Sequence, residues 1–375
     1  MRSHHLVLAS LAAAAVLAGC SGPGGGDTYL LGLAAPLERS FGKNSQLGAQ
    51  LAVDQINAAG GIHGDSLKLW ALDDKSEDTA AIAVAERFYD NPDVLAVVGH
   101  ATSGPLMDAA SVYQRGLAAV GTSATSTEIA GLGEWIFRVA SSDSANAAEL
   151  ARSAAGAGRR VAILYANDDY GQSLAEVFGQ ALENTGVTLV GRFPYLEDMK
   201  DFTPYIRALK ARGAEVVLVA GLETGAATLI QQAHQLEWMP RFIGGDGLEP
   251  LAEMGERYNG TLVGVLYHPD MSPRARAFAE AFRAAYKREP DSSAATSYDA
   301  VQLIARALRE GRASRQGIRD YLAGVGREGG SERYDGVAGP VSFDANGDPV
   351  GKPVALVRIE NGRFRLQQAA QVATR

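Results

Sequence analysis

From Thr28 onward, short apolar strands alternate with amphipathic helices, and no other feature restricts the fold so strongly. YLLGLAAP reads as a strand, and Gln46–Ala58 as a helix stopped by Gly60-Gly61. LKLWALDD is the next strand, and Thr79–Tyr89 a helix stopped by Asn91-Pro92. VLAVVG, the helix Leu106–Arg115, LAAVG and IFRVA follow. The series restarts with VAILYA, the helix Tyr170–Glu183, VTLVGRF, the helix Phe202–Arg212 and EVVLVAG. Near-continuous apolar strands separated by helices predict parallel sheets covered on both faces, the doubly wound α/β class.

An internal echo supports two such units. VLAVVGHATSGPLMDAASVYQ and EVVLVAGLETGAATLIQQAHQ each run strand, Gly, two residues, Thr, Gly, helix, with one residue between Thr and Gly in the first and none in the second. The chain's 375 residues accommodate two or three domains. Two units meeting near residue 141 would put equivalent loops face to face, and ligands of open α/β sheets lie beyond the carboxyl ends of the strands. After Tyr267, helices are predicted over 274–287, 297–308 and 315–322. A hairpin of VSF and VALVRI around Asp344–Pro349 and a frayed last ten residues complete the expectation.

GHATSG (99–104) joins an apolar strand to a helix start, a place that suits a phosphate, a carboxylate or nothing but the chain's own turn. It fails as a phosphate loop, because Pro105 stands where lysine is needed and Leu106 where Ser or Thr is needed. First-turn N–H groups and the hydroxyls of Thr102 and Ser103 remain as donors, with no fixed cation; an empty capped turn is an equal alternative. Gly121-Thr-Ser-Ala-Thr125 is a second hydroxyl-rich turn. Asp168 and Asp169 suit helix capping, whereas Tyr170 offers a ring face and a phenolic hydrogen bond. Asp246 stands among Gly244, Gly245 and Gly247, where it can meet an ammonium group or merely cap a helix.

Other chemistries lack their residues. His63, His100, His234 and His268 show no metal-ligand spacing, no nucleophile elbow occurs, and Cys20 is the chain's only cysteine. DANGD at 344–348 begins like a calcium loop but has Pro349 for the sixth-position glycine and Ala355 for the twelfth-position glutamate. The net charge of −8 and the helically spaced arginines of 274–288 argue against a nucleic-acid partner.

At the N-terminus, Leu6–Ala18 is an apolar stretch broken only by Ser10. As a helix it spans ~20 Å, short of the ~30 Å hydrocarbon core, so it reads as a signal-peptide segment. It ends in Leu17-Ala18-Gly19-Cys20, which resembles the lipobox of bacterial lipoproteins. Residues 1–19 are then a lipoprotein signal peptide, Cys20 the lipidated residue, and 20–27 a flexible tether.

Seven motifs in order, AVDQINAAGGIHG, LDDKSED, VVGHATSG, GTSAT, YANDDYGQSLA, IGGDGL and GPVSFDANGD, carry a wider similarity. The chain resembles the branched-chain amino-acid (Leu/Ile/Val-type) substrate-binding proteins of ABC importers from about Tyr29 to Ile359. The resemblance implies a type I periplasmic binding fold, with two doubly wound lobes joined by a three-crossover hinge near 140–143, 267–271 and 345–350. The N-terminal lobe is expected over 28–141 plus 270–346, and the C-terminal lobe over 142–269 plus 347–375.

The same resemblance implies a site without metal or cofactor. The ligand carboxylate lies on Ala101, Ser103, Ser123 and Thr125, and its ammonium group on Asp246, with Tyr170 closing from the other lobe. Phe41 matches an aromatic that the family tends to use, while Leu222 stands where it often has one. Implied with these are an amino-acid or similar carboxylate ligand, permease partners, and a periplasmic or outer-surface location with a lipid anchor. A sensor feeding a signalling receptor, or a binder of aromatic acids, amides or short peptides, is the alternative.

Overall fold

The computed structural model describes residues 28–183 and 185–369. The signal segment, the tether and Cys20 lie outside the described residues. Two sheets organise the molecule. The first is wholly parallel, in the order β2 (Ser66–Asp73), β1 (Thr28–Ala35), β3 (Val94–Val98), β4 (Ala119–Gly121), β5 (Ile136–Arg138). In the second, β7 (Thr188–Tyr195), β6 (Arg160–Ala166), β8 (Val216–Ala220), β9 (Arg241–Gly244) and β10 (Leu262–Val265) repeat that order. Antiparallel β13 (Ala355–Glu360) and β14 (Arg363–Ala369) extend its far edge. The echo seen in the sequence thus falls on β3 and β8, which hold equivalent places in the two sheets.

Helices cover both faces of each sheet, as expected for strands whose two faces are apolar. In the first lobe α2 (Asp78–Asp90) and α3 (Ser103–Tyr113) pack on one face. The opposite face takes α1 (Ser40–Ala58), α9 (Ser292–Arg309) and α10 (Arg315–Gly324), with α8 (Pro273–Tyr286) alongside. In the second lobe α4 (Asp143–Ala157) and α5 (Asp169–Leu182) oppose α6 (Thr203–Ala211) and α7 (Glu223–Gln235). Val98, Leu218 and Val219 are fully buried; each such side chain contributes about 1.5–3 kcal/mol relative to exposure. No helix among the described residues is long and apolar enough to cross a membrane.

The chain passes between the sheets after β5, after β10, and between β12 (Gly339–Val341) and β13. The third passage corrects the expected hairpin. VSF adjoins the small ribbon of β11 (Tyr334–Gly336) and β12, whereas VALVRI pairs with β10 and β14 in the second sheet. Asp344–Pro349 is therefore a connection between sheets, bridged only at Phe343–Pro349. Its Asp348 is taken by the fully buried Arg138, with Nε at 2.7 Å from Oδ1 and Nη2 at 2.5 Å from Oδ2. This fork–fork ion pair ties the third passage to the strand preceding the first.

Helices α1 and α9 begin earlier than predicted, at Ser40 and Ser292 rather than at Gln46 and Ser297. Their close crossing depends on Gly48, where a Cβ would come within 2.0 Å of the Ala294 carbonyl oxygen. The expected frayed end is corrected over 366–369, since β14 continues to Ala369; its last six residues lie outside the described residues.

Candidate ligand-binding site

The carboxyl ends of β3, β4, β6, β8 and β9 all point to the gap between the lobes. At β3, Gly99 has φ +117°, and a Cβ there would lie 2.1 Å from the Ala34 carbonyl oxygen. His100 then turns inward, its ring held by Asp74 (2.7 Å) and Tyr113 (2.9 Å), all three buried. This network anchors the loop and leaves Ala101, Thr102 and Ser103 on the cleft wall. The first intrahelical bond of α3 runs from Leu106 N–H to Thr102 O at 3.3 Å, so the N–H groups of Ser103 and Gly104 precede the ladder. Ser103 Oγ accepts the Ser126 N–H at 3.1 Å, which joins this turn to the next loop and keeps its own hydrogen free to donate.

These residues border a cavity of about 470 Å³. Phe41, Ala101, Ser103, Ser123, Tyr170, Leu222 and Asp246 all line it, drawn from both lobes. Thr125 does not: it is fully buried at the first passage, where its carbonyl accepts the Asp143 N–H at 2.8 Å. Phe41 carries the Arg39 guanidinium 5.3 Å from its ring centre, and Arg39 reaches Glu223 across the cleft at 2.8 Å. The lobes therefore touch at the rim. They touch again where Thr127 N–H donates to Ser173 Oγ at 3.0 Å.

On the second lobe, the Tyr170 hydroxyl donates to Asp246 Oδ1 at 3.4 Å and accepts the Gly247 N–H at 3.3 Å. Burial, with the charge of Asp143 adding to it, pushes the Asp246 carboxyl up to about 7; its own backbone N–H and the tyrosine pull it back in part. Asp143 itself is pushed up to about 6 by burial, opposed by the hydroxyls of Ser173 and Thr125 and by Arg138.

Sequence reasoning passed over a third wall of the cavity. The start of α9 presents Asp291, Ser292 and Ser293, and Glu249 approaches it from the second lobe. Asp291 caps the helix at Ala294 N–H (2.8 Å) and takes a bond from Asn44 Nδ2 (2.7 Å). Glu249 Oε2 accepts the Ser292 N–H at 3.0 Å, and the Ser293 hydroxyl meets that of Ser123 at 3.2 Å. The run Asp-Ser-Ser-Ala is a helix-start signal that could have placed this wall.

No lysine, arginine or histidine lines the cavity among the described residues. An anion bound here must rest on amide and hydroxyl dipoles, and a cation on carboxylates. No group of histidine, cysteine, aspartate and glutamate able to hold a metal occurs among the described residues.

Two lobes of one strand order, facing across such a cleft, define a two-lobe binding protein for a small molecule. A family profile described as "Periplasmic binding protein" matches residues 29–363, and the chain belongs to that family. It is thus a binding protein working outside the cytoplasm and not an enzyme, as the motif resemblance implied. An "Amino acid binding protein" of Pseudomonas aeruginosa is 32% identical over 291 residues, 74% of this chain and 78% of that one. Among solved structures, a Desulfitobacterium hafniense ABC transporter substrate-binding protein in complex with Leu aligns with TM-score 0.77 and 32% identity, covering 91% of this chain and all of that one. A branched-chain amino acid transporter substrate-binding protein of Streptococcus pneumoniae in complex with isoleucine aligns with TM-score 0.82 and 28% identity, over 92% and 99% of the two chains.

Proposed function

We propose that this protein captures a free amino acid in the interlobe cleft and delivers it to the permease of an ABC importer. The ligand carboxylate rests on Ala101, Ser103 and Ser123, and the ammonium group on Asp246, with Tyr170 beside it. One observation carries this assignment: a carboxyl set deep in the cleft faces donor-rich turns, and no basic side chain competes for either end of a zwitterion. Buried charge is tolerable only when paired and hydrogen-bonded, and the two walls supply both kinds of partner.

The lobes that close are 28–141 with 270–346 and 142–269 with 347–375, moving about the passages near 140–143, 267–271 and 345–350. Closure brings Asp246 and Tyr170 onto a ligand first held by the α3 turn. Removal of residues 1–19 and lipidation of Cys20 tether the binding protein beside its membrane partner. The relatives named as amino-acid binders, and those solved with leucine and isoleucine, support this role.

A melting-temperature screen against amino acids, aromatic acids and amides tests the proposal. At 100-fold over Kd a ligand adds about 2.7 kcal/mol, and each kcal/mol moves the midpoint by roughly 2–4 °C in domains of this size. Amino acids are expected to raise the midpoint and carboxylates without an amino group to leave it unmoved. The reverse pattern overturns the proposal.

A further inference from the structure

The amino-acid clamp leaves one buried carboxyl of the cleft without a task. Glu249 is 7% exposed and lines the cavity, and its Oε2 is engaged by the Ser292 N–H. Its Oε1 is buried with no hydrogen-bond partner. An unpaired polar atom in such surroundings is costly, and a ligand donor reaching it would remove that cost.

The local backbone relates Glu249 to Asp246. Both belong to the nine-residue 3₁₀ helix Asp246–Met254. With three residues per turn and a rise of ~2 Å each, residues i and i+3 lie one above the other, ~6 Å apart along the axis. The two residues thus stand on one face, their backbone positions about 6 Å apart, and both line the same cavity. Burial and the Asp291 charge drive the Glu249 carboxyl well above the usual range, and the charge of Asp246 adds to them.

A second cavity of about 930 Å³ shares Glu249, Pro250 and Asp291 with the first, and Glu253 and Glu289 add two more acids to its wall. Arg363 and His268 are the basic residues there. The surroundings of Glu249 on this side are richer in carboxylates than in cations.

We propose that Glu249 is a specificity-determining residue that receives a cationic group at the end of the ligand's side chain, so that the cleft prefers diamino acids such as lysine or ornithine to aliphatic ones. This rests on the amino-acid assignment of the same cleft. Titration calorimetry with lysine, norleucine and leucine tests it, because lysine and norleucine share a stem and differ in the terminal charge. Lysine is expected to bind at least about tenfold more tightly than norleucine, a difference of about 1.4 kcal/mol. In Glu249→Gln that ratio is expected to fall to about one, with circular dichroism reporting an intact fold. Norleucine or leucine binding the unaltered protein as tightly as lysine overturns this inference and spares the amino-acid assignment. Binding of no amino acid overturns both. Should Glu249→Gln fail to fold, the ratio measured in the unaltered protein still decides.

Discussion

The Tyr170 hydroxyl donates to Asp246 Oδ1 across 3.4 Å, and both side chains stand at the starts of the helices that follow β6 and β9 of the same sheet. Because the hydroxyl also accepts the Gly247 N–H, it is fixed on the loop that carries the carboxyl. The acid is therefore aimed into the cleft by its own lobe before any ligand arrives. Tyr170→Phe removes this orientation and exposes no new charge. Its net worth is about 1 kcal/mol, so calorimetry should show amino-acid affinity weakened by about fivefold with the melting temperature little changed.

The Asp246 carboxyl titrates near 7 in the empty cleft, against an ordinary value of 3.8. Between those values the folded protein holds a proton that the unfolded chain has released. The stability this proton provides is therefore lost as pH rises through the window. Ligand binding runs the other way, since an ammonium group needs the ionised form. Affinity should climb by up to about tenfold per pH unit below 7 and level off above it. Asp246→Asn should abolish that climb and flatten part of the fall in the empty protein's melting temperature. Calorimetry and thermal melts across pH 5–8 read both.

Arg138 is wholly buried at the foot of the first passage and spends Nε and Nη2 on Asp348 in the third. Its Nη1 takes the Ser126 carbonyl at 2.7 Å. Asp348→Ala leaves a guanidinium buried without its carboxylate, a change that costs about 3–5 kcal/mol. The midpoint of chemical unfolding should fall accordingly. A shift under 1 kcal/mol would mean that the pair does not hold the passages together.

If Cys20 carries the lipid anchor, Cys20→Ala should move the protein from the detergent phase to the aqueous phase on partitioning, with ligand affinity unchanged. Retention in the detergent phase would contradict the anchor.

Much of this architecture was legible in the sequence because its strands are buried on both faces and read as plain apolar runs. The repeated strand–Gly–turn–helix pattern even located β3 and β8 at equivalent positions. What escaped was set by distant contacts. The strands VSF and VALVRI, with a good turn between them, satisfy every local rule for a hairpin. They part because VALVRI finds β10 and Asp348 finds Arg138. The start of α9 was hidden by a Ser/Thr-rich stretch that reads as loop, although Asp291 marks its cap. Thr102, Ser103, Ser123, Tyr170 and Asp246 followed from turn chemistry, whereas Ala101, Phe41 and Leu222 came only with the family resemblance. Glu249 followed from neither, because only the 3₁₀ winding after Asp246 brings it onto the same face. Thr125 shares the hydroxyl-rich turn with Ser123, but the chain dives into the first passage there and buries it.

The most direct test of the clamp is a crystal structure of the protein grown with a bound amino acid. The expected density has carboxylate oxygens within hydrogen-bond distance of the Ala101–Ser103 turn and Ser123, and the ammonium nitrogen against Asp246. A ligand lying outside the interlobe cleft, or reversed with its ammonium group on the α3 turn, would contradict the account.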